Sequence, residues 1–240
     1  MLQTAAIQVL AQVQIRQRTS ESCIQKNKLC PRWIVDHFDR YTHPLVQHIA
    51  LVLLSVGAGF AIAFVLALMA RRRRWTVGPI LGLTGILYTL PSLAVFFILL
   101  PITGRGTLTA VIALTAYTLQ IIFRNIVIGL DNVPVDAKDA GRGMGLTDQQ
   151  LLWRVELPLA LPDIIAGVRI AATSTVGLAT LAVFAGAGGL GSEIVAGSNI
   201  TFKTGVVAAG GLAVLLAFTL DVLLLTVQRI VTPWRRVRAA

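Results

Sequence analysis

Five stretches of this chain carry no charged side chain over a length that can cross a lipid bilayer, and they constrain its fold more than any motif does. Ile49 to Ala70 is the first, Trp75 to Gly104 the second, Gly106 to Phe123 the third, Ile170 to Ser192 the fourth and Thr204 to Leu220 the fifth. A helix needs roughly 20 apolar residues to traverse about 30 Å of hydrocarbon. The second stretch is longer than one crossing and contains Pro79, Pro91 and Pro101. Only 13% of the chain is charged and its mean hydropathy is +0.77, whereas soluble domains carry about 25% charged residues. An all-α membrane protein of about five transmembrane helices follows, with too little chain left for a separate soluble catalytic domain.

The net charge of +10 does not indicate nucleic acid, because the cations are sorted by loop. Arg71 to Arg74 follow the first stretch. Arg124, Lys138, Arg142, Arg154 and Arg169 flank or occupy the segment between the third and fourth. Arg229, Arg235, Arg236 and Arg238 follow the fifth, and only Arg105 and Lys203 fall in the alternate loops. Lysine and arginine bias between short loops sets topology. The middle segment and the C-terminus are therefore expected in the cytoplasm, the N-terminus outside, and the chain multi-pass in the plasma membrane, with anionic headgroups meeting the positive charge. Residues 1–44 fit this arrangement least well. They carry six Lys and Arg on the expected outer side and read as a surface-lying or poorly ordered arm, with an amphipathic piece around Trp33 to Tyr41. Cys23 and Cys30, followed by His37, His43 and His48, match no compact zinc spacing, so no metal site is assigned. The transmembrane core is placed at 45–230, with a cytoplasmic loop at 131–162 and a basic tail at 231–240.

Within the hydrophobic runs, Gly57, Gly59, Ala61 and Ala63 of the first, and Gly205, Ala208, Ala209, Gly210 and Gly211 of the fifth, suit close helix packing in lipid. Trp75 and Trp234 stand beside basic residues as interfacial anchors. Tyr88 to Ala94 reads YTLPSLA. Pro91 breaks or kinks a helix there, and discontinuous backbone in a membrane is tolerated only against protein or along a water-filled cavity. Tyr88, Pro91, Ser92 and Leu93 are thus candidates for a translocation pathway, the alternative being a simple kink. Thr89 and Ser92 are expected to satisfy the freed carbonyls. AGAGGLGSE, Ala185 to Glu193 at the end of the fourth run, lacks the Lys-Ser/Thr ending of a phosphate loop and reads as a flexible re-entrant or outer-loop turn. Asp221, directly after the fifth run, is the one acid well inside an expected span; structural pairing or water contact, with Arg229 two turns away, is weighed against a protonation role in transport.

The segment between the third and fourth runs holds six of the eleven acids: Asp131, Asp136, Asp139, Asp148, Glu156 and Asp163. Pro134 suits a first helical turn; Val135 to Met144 predicts a short helix stopped by Gly145. Thr147-x-x-Gln150 is a capping box that opens a second helix ending by Pro158, with Leu151, Leu152 and Val155 on one side. Ala140, Gly141, Gly143 and Gly145 leave little bulk, so another protein surface can approach the backbone.

This stretch resembles the EAA loop of type I ABC importer permeases: E-A-A, three residues, Gly, nine residues, Ile, one residue, Leu-Pro. Asp139-Ala140-Gly141, Gly145, Val155 and Leu157-Pro158 fall at those spacings. Asp139 and Val155 are conservative departures, whereas Gly141 for Ala lowers helix propensity by roughly 1 kcal/mol. The resemblance implies the MetI-like permease fold and a coupling helix seated on a separate cytoplasmic ATPase. Asp139, Ala140, Gly141, Arg142, Gly143, Met144 and Gly145 would lie at that contact, and Val155, Leu157 and Pro158 would return the chain to the membrane. It also implies a second permease copy or a homologous permease and an extracytoplasmic substrate-binding protein. No cofactor is bound by this chain; ATP is used by the partner, so the subunit is not itself an enzyme. YTLPSLA, GRGMG, VELPLALP and GAGGLG are similar to the osmoprotectant group, whose cargoes are glycine betaine, carnitine, choline and proline. Another small solute such as an amino acid is the alternative cargo, and a stand-alone carrier using Asp221 is a different class of reading.

Overall fold

The computed structural model describes residues 29–233. Helix α1 is Pro31–Asp36 and α2 is Asp39–Arg72; a 3₁₀ turn at Arg74–Thr76 leads into α3, Val77–Thr89, and α4, Ser92–Thr103. Helix α5 is Thr107–Asp131, α6 Val135–Gly143 and α7 Asp148–Leu151. A π turn at Leu152–Glu156 joins α7 to α8, Leu157–Ala179. After a 3₁₀ turn at Thr180–Ala185 come α9, Leu190–Asn199, and α10, Lys203–Val231.

Four helical segments, Asp39–Arg72, Thr107–Asp131, Asp148–Ala185 and Lys203–Val231, are each long and apolar enough to cross a membrane. The second hydrophobic run is instead a broken pair, Arg74–Thr89 and Ser92–Thr103, bent by 97°. The five runs thus map onto four straight crossings and one bent one. Helix α5 sits at the centre, packed against α2 on one side and α8 on the other, with α10 outside α8.

Boundaries differ from the sequence expectation where a terminating cue is overridden. The helix that begins at the Thr147 cap does not stop by Pro158; it runs on through the π turn as one segment from Asp148 to Ala185. Pro158 falls in the first turn after that π turn, where a missing amide costs little. The fourth crossing ends near Ala185 rather than Ser192, because Gly186 adopts a left-handed φ of +77° and caps it. The third extends past Phe123 to Asp131, with Arg124 exposed.

The described part of the N-terminal arm is mostly exposed, with an amphipathic inner side: Trp33 is buried, stacks on His37 at 4.5 Å and meets Phe202 edge-on at 4.7 Å. The Cys30 amide donates to Thr204 Oγ1 at 3.1 Å, and Arg40 pairs with Glu193 at 2.6 Å. The first described helix, Pro31–Asp36, thus packs on the helical body. Cys30 is disulfide-bonded; Cys23, the other cysteine, and Trp234 with the basic tail lie outside the described residues.

Small side chains make the close approaches, but only some of those expected. A Cβ on Gly59 would overlap the Thr118 hydroxyl, and one on Gly167 would overlap Asn125. Ala63, Ala208 and Ala209 are buried, and a Cβ on Gly205 would meet the Phe202 ring at 2.7 Å. Gly57, Gly210 and Gly211 have nothing within 4 Å. The AGAGGLG turn is held by side-chain hydrogen bonds. Gly188 and Gly189 hold φ of +79° and +82°. The Gly189 amide donates to Gln47 Oε1 at 3.1 Å and the Leu190 amide to His48 Nδ1 at 3.3 Å.

Asp221 pairs with Arg169 of α8 and not with Arg229: Arg169 Nη2 lies 2.9 and 3.0 Å from its two oxygens. Arg169 Nη1 also reaches Gln228 Oε1 at 3.3 Å, while Gln228 Nε2 donates to the Pro162 carbonyl at 2.9 Å. These bonds stitch α8 to α10. Removing one partner of a charged hydrogen-bonded pair strands the other, at about 1.5–3 kcal/mol for the lost bonds. Asp221→Ala is therefore expected to lower the melting temperature in mild detergent, and Arg169→Ala/Asp221→Ala to recover part of the loss. A double variant no more stable than the sum of the two singles would show that the pair is not coupled.

Candidate functional site

The loop between α5 and α8 is built by local sequence. Helix α6 ends in a Schellman arrangement: the Leu146 amide donates to the Gly141 carbonyl at 3.2 Å and the Gly145 amide to the Arg142 carbonyl at 2.9 Å. That closure puts Gly145 at φ +80°, a conformation that glycine adopts without a Cβ penalty. Two residues later Thr147 caps α7. Its Oγ1 accepts from the Gln150 amide at 3.3 Å, and Gln150 Oε1 accepts from the Thr147 amide at 3.0 Å, closing the capping box.

The two short helices pack on each other through one glycine. Gly141 is buried, and a Cβ there would lie 2.6 Å from Leu151 Cδ1 and 3.6 Å from Val155 Cγ2. Gly141 thus faces the α7 side of the loop, where it presents no outer surface. Its departure from alanine relieves a contact instead of loosening an exposed turn. Asp139, Ala140, Arg142, Gly143, Met144 and Gly145 are exposed and form the tip, with Asp139 and Arg142 paired at 3.2 Å. Val155, Leu157 and Pro158 are half-buried at the root, where the π turn passes into α8.

The root is held by a bond that sequence reading missed. Glu156 is buried in the π turn and takes both ends of the Arg71 guanidinium, Nε at 2.6 Å and Nη2 at 3.0 Å. Arg71 Nη2 also approaches the Asp148 carbonyl at 3.4 Å. Arg71 read as one of four topology-setting arginines; the available signal was an acid two residues before Pro158, at a depth where it needs a cation. Lys138 Nζ donates to the Leu130 carbonyl at 3.3 Å, tying α6 to the end of α5.

The broken span is the second feature. Helix α3 ends at Thr89; Leu90 and Pro91 are extended, with ψ of 138° and 124°. The freed Leu90 carbonyl accepts from Tyr117 Oη of α5 at 2.7 Å. Thr89 Oγ1 donates to Ile86 at 2.8 Å, as one of the two expected donors, and the Leu90 carbonyl is met by Tyr117 rather than by Ser92. Tyr88 stands edge-on to Tyr117 at 6.0 Å. Tyr88, Pro91 and Leu93 are exposed and Ser92 half-buried, so the break offers aromatic and neutral polar groups without a formal charge. Tyr117 carried a signal: a tyrosine in a span brings a hydroxyl that must find a partner.

The family described as binding-protein-dependent transport system inner membrane component matches residues 55–237. The osmoprotectant import permease protein OsmW of Salmonella typhimurium is 38% identical over 192 residues, covering 78% of this chain and 89% of its own length. The choline transport system permease protein OpuBB of Bacillus subtilis is 35% identical over 187 residues, 78% of this chain and 86% of that one. The carnitine transport permease protein OpuCB of Listeria monocytogenes is 36% identical over 205 residues, 83% and 94% of the two chains. In structure, the inward-facing methionine ABC transporter MetNI matches with a TM-score of 0.72 at 22% identity, over 80% of this chain and 96% of that one. An amino acid ABC transporter with histidines matches at 0.70 and 16%, over 84% and 99%. At such identities the structural likeness establishes the fold, which is that of the type I importer permeases. This chain belongs to the family of inner-membrane components of binding-protein-dependent transport systems.

Proposed function

We propose that this chain is the membrane-spanning subunit of an ATP-driven importer for osmoprotectants such as glycine betaine, carnitine, choline or proline, and that the α6–α7 loop takes up motion from a separate cytoplasmic ATPase. The observation that carries the reading is the loop itself. It combines an exposed tip at Asp139 to Gly145 with a root fixed to two spans, through the α7–α8 continuity and the Arg71–Glu156 bond. The cargo class rests on the relatives, three of which are an osmoprotectant, a choline and a carnitine permease.

In this mechanism the ATPase closes on nucleotide and displaces the tip. Because α7 passes into α8 without a hinge loop, the displacement enters α8 directly, and Arg71 carries it to α2. The two spans rock between inward- and outward-facing states, and the break at Leu90–Pro91 lines the passage. Cargo arrives from an external binding protein, and a second permease copy or a related chain completes the pore. The sorted Lys and Arg support a cytoplasmic side for the loop and the C-terminus.

Three outcomes test this. Gly145→Arg adds a cation and bulk to the exposed tip at a left-handed residue; membrane insertion persists and ATP-dependent uptake is lost, whereas Gly145→Asn, which tolerates that φ, keeps most of it. Normal uptake by the arginine variant sinks the coupling role. Arg71→Ala strands the buried Glu156 carboxylate, and in reconstituted vesicles uptake falls roughly tenfold or more, from about 1.5–3 kcal/mol of lost bonding, while ATP hydrolysis continues. Equal loss of both activities places Arg71 in assembly and not in transmission. Uptake of labelled glycine betaine is expected to be competed by choline, carnitine or proline and to ignore methionine and histidine; the reverse pattern moves the cargo to amino acids.

A further inference from the structure

The basic end of α2 and the α6–α7 loop enclose a cleft of about 1130 Å³ that transmission through the loop leaves unused. One wall is apolar and belongs to the membrane face: Val65, Leu68 and Met69 of α2 with Val77 of α3. Val65 and Met69 are 56% and 59% exposed. The cationic part of the lining is Arg72 and Arg74, beyond the end of that apolar stripe, with Lys138 and Arg142 of α6. Two tryptophans mark the level of the mouth. Trp153 lines the cleft and is 54% exposed, and Trp75, next to Arg74, is 73% exposed. Exposed tryptophans in membrane proteins concentrate at the headgroup level.

The charges around the cleft do not cancel. Arg71, Arg72, Arg74, Lys138 and Arg142 face Asp131, Asp148 and Glu156, and Arg142 is paired with Asp139 beside the cleft, which leaves one positive charge in excess. Arg71 is committed to Glu156. Arg74 approaches Asp131 only at 3.4 Å, with both side chains more than half exposed. Arg72 has no carboxylate within ion-pairing distance among the described residues. Lys138 contacts a backbone carbonyl.

We propose that the cleft holds an anionic phospholipid of the surrounding leaflet, its phosphodiester on Arg72, Arg74 and Lys138 and its acyl chains along Val65, Met69 and Val77. Basic pockets between spans at the cytoplasmic side favour such headgroups. The apolar wall selects lipid over the other sources of the same chemistry. A free phosphate leaves Val65 and Met69 uncovered. A water-soluble protein does not reach Val65, which lies about 10 Å deeper than Arg72 along α2. The bound lipid bridges the end of α2 and α6, the two elements that move when the loop is displaced, so it sits where it can stiffen the transmission.

Native mass spectrometry of the full chain in mild detergent, with equimolar phosphatidylglycerol and phosphatidylcholine of matched chains, tests this with and without the ATPase. One phosphatidylglycerol per chain is expected to be retained in preference to phosphatidylcholine. Arg72→Gln/Lys138→Gln is expected to weaken it roughly 30-fold, at about fivefold per cation. Brominated phosphatidylglycerol is likewise expected to quench the tryptophan fluorescence of the unmodified chain more than brominated phosphatidylcholine does, a readout that needs no variant. Equal retention of the two lipids, equal quenching, or unchanged binding in the double variant overturns the proposal. Displacement by millimolar glycerol phosphate assigns the cleft to a soluble anion, and loss of the lipid on adding the ATPase assigns it to a protein contact; either result also overturns it.

Discussion

Hydrocarbon supplies no hydrogen bonds, so a chain that interrupts its helices within or beside its spans has to furnish a partner for every backbone group it frees. This chain does so with single side chains drawn from distant elements. At Leu90–Pro91 the partner is the Tyr117 hydroxyl. Where α8 tightens into a 3₁₀ turn at Thr180, the Val176 carbonyl is met by His48 Nε2 at 3.0 Å. The Nδ1 of the same ring accepts from the Leu190 amide, so the imidazole is the neutral form with its proton on Nε2. One buried histidine thus closes both sides of the glycine turn. A Cβ on Gly191 would overlap the Thr180 carbonyl, which is why that turn folds back so tightly.

The same constraint explains how the loop is joined to the membrane. A flexible connection between α7 and α8 would free several amides and carbonyls near the interface and would absorb any push applied at the tip. The π turn at Leu152–Glu156 widens the helix for one turn without opening it. That turn carries the chain past Pro158 and points Glu156 inward at Arg71. Its geometry and the ion pair therefore form one joint. The wide turn buries a carboxylate, the carboxylate requires a guanidinium, and the guanidinium belongs to the last turns of α2.

Features encoded within a few residues were legible in the sequence: the capping box at Thr147 and Gln150, the stop at Gly145, the apolar runs and the break at Pro91. Each depends on backbone rules that act over one or two turns. The family resemblance added the loop's spacing but not its orientation. The pattern places Gly141 beside Asp139 and Ala140, yet only the packing of α6 on α7 shows that it points at Leu151. Bonds between residues far apart in sequence stayed hidden. Arg169 and Asp221 are 52 positions apart, Arg71 and Glu156 85, and Gln47 and Gly189 142. For Asp221 the nearest cation in sequence, Arg229, was the wrong partner, because pairing across two helices satisfies both oxygens at once. A proline misled in the opposite sense: Pro158 signals a helix end, but the π turn before it lets the helix continue.

Charge is disposed so that the break stays neutral. Arg169 and Asp221 neutralise each other between α8 and α10, the guanidinium of Arg71 is spent on Glu156, and the remaining cations gather at the helix ends. Along the passage proposed at Leu90 the exposed ring is that of Tyr88, edge-on to the buried Tyr117, whose hydroxyl already donates to the Leu90 carbonyl. A fixed carboxylate there would hold a quaternary ammonium in a low-dielectric passage by far more than thermal energy. An aromatic face attracts the same cation by about 0.5–2 kcal/mol, enough to replace part of its hydration and weak enough to release it. For a solute that carries both charges at once, a neutral aromatic passage also avoids repelling the carboxylate end. On that balance, selectivity is best exercised before the solute reaches the membrane, and the permease needs only to open and close.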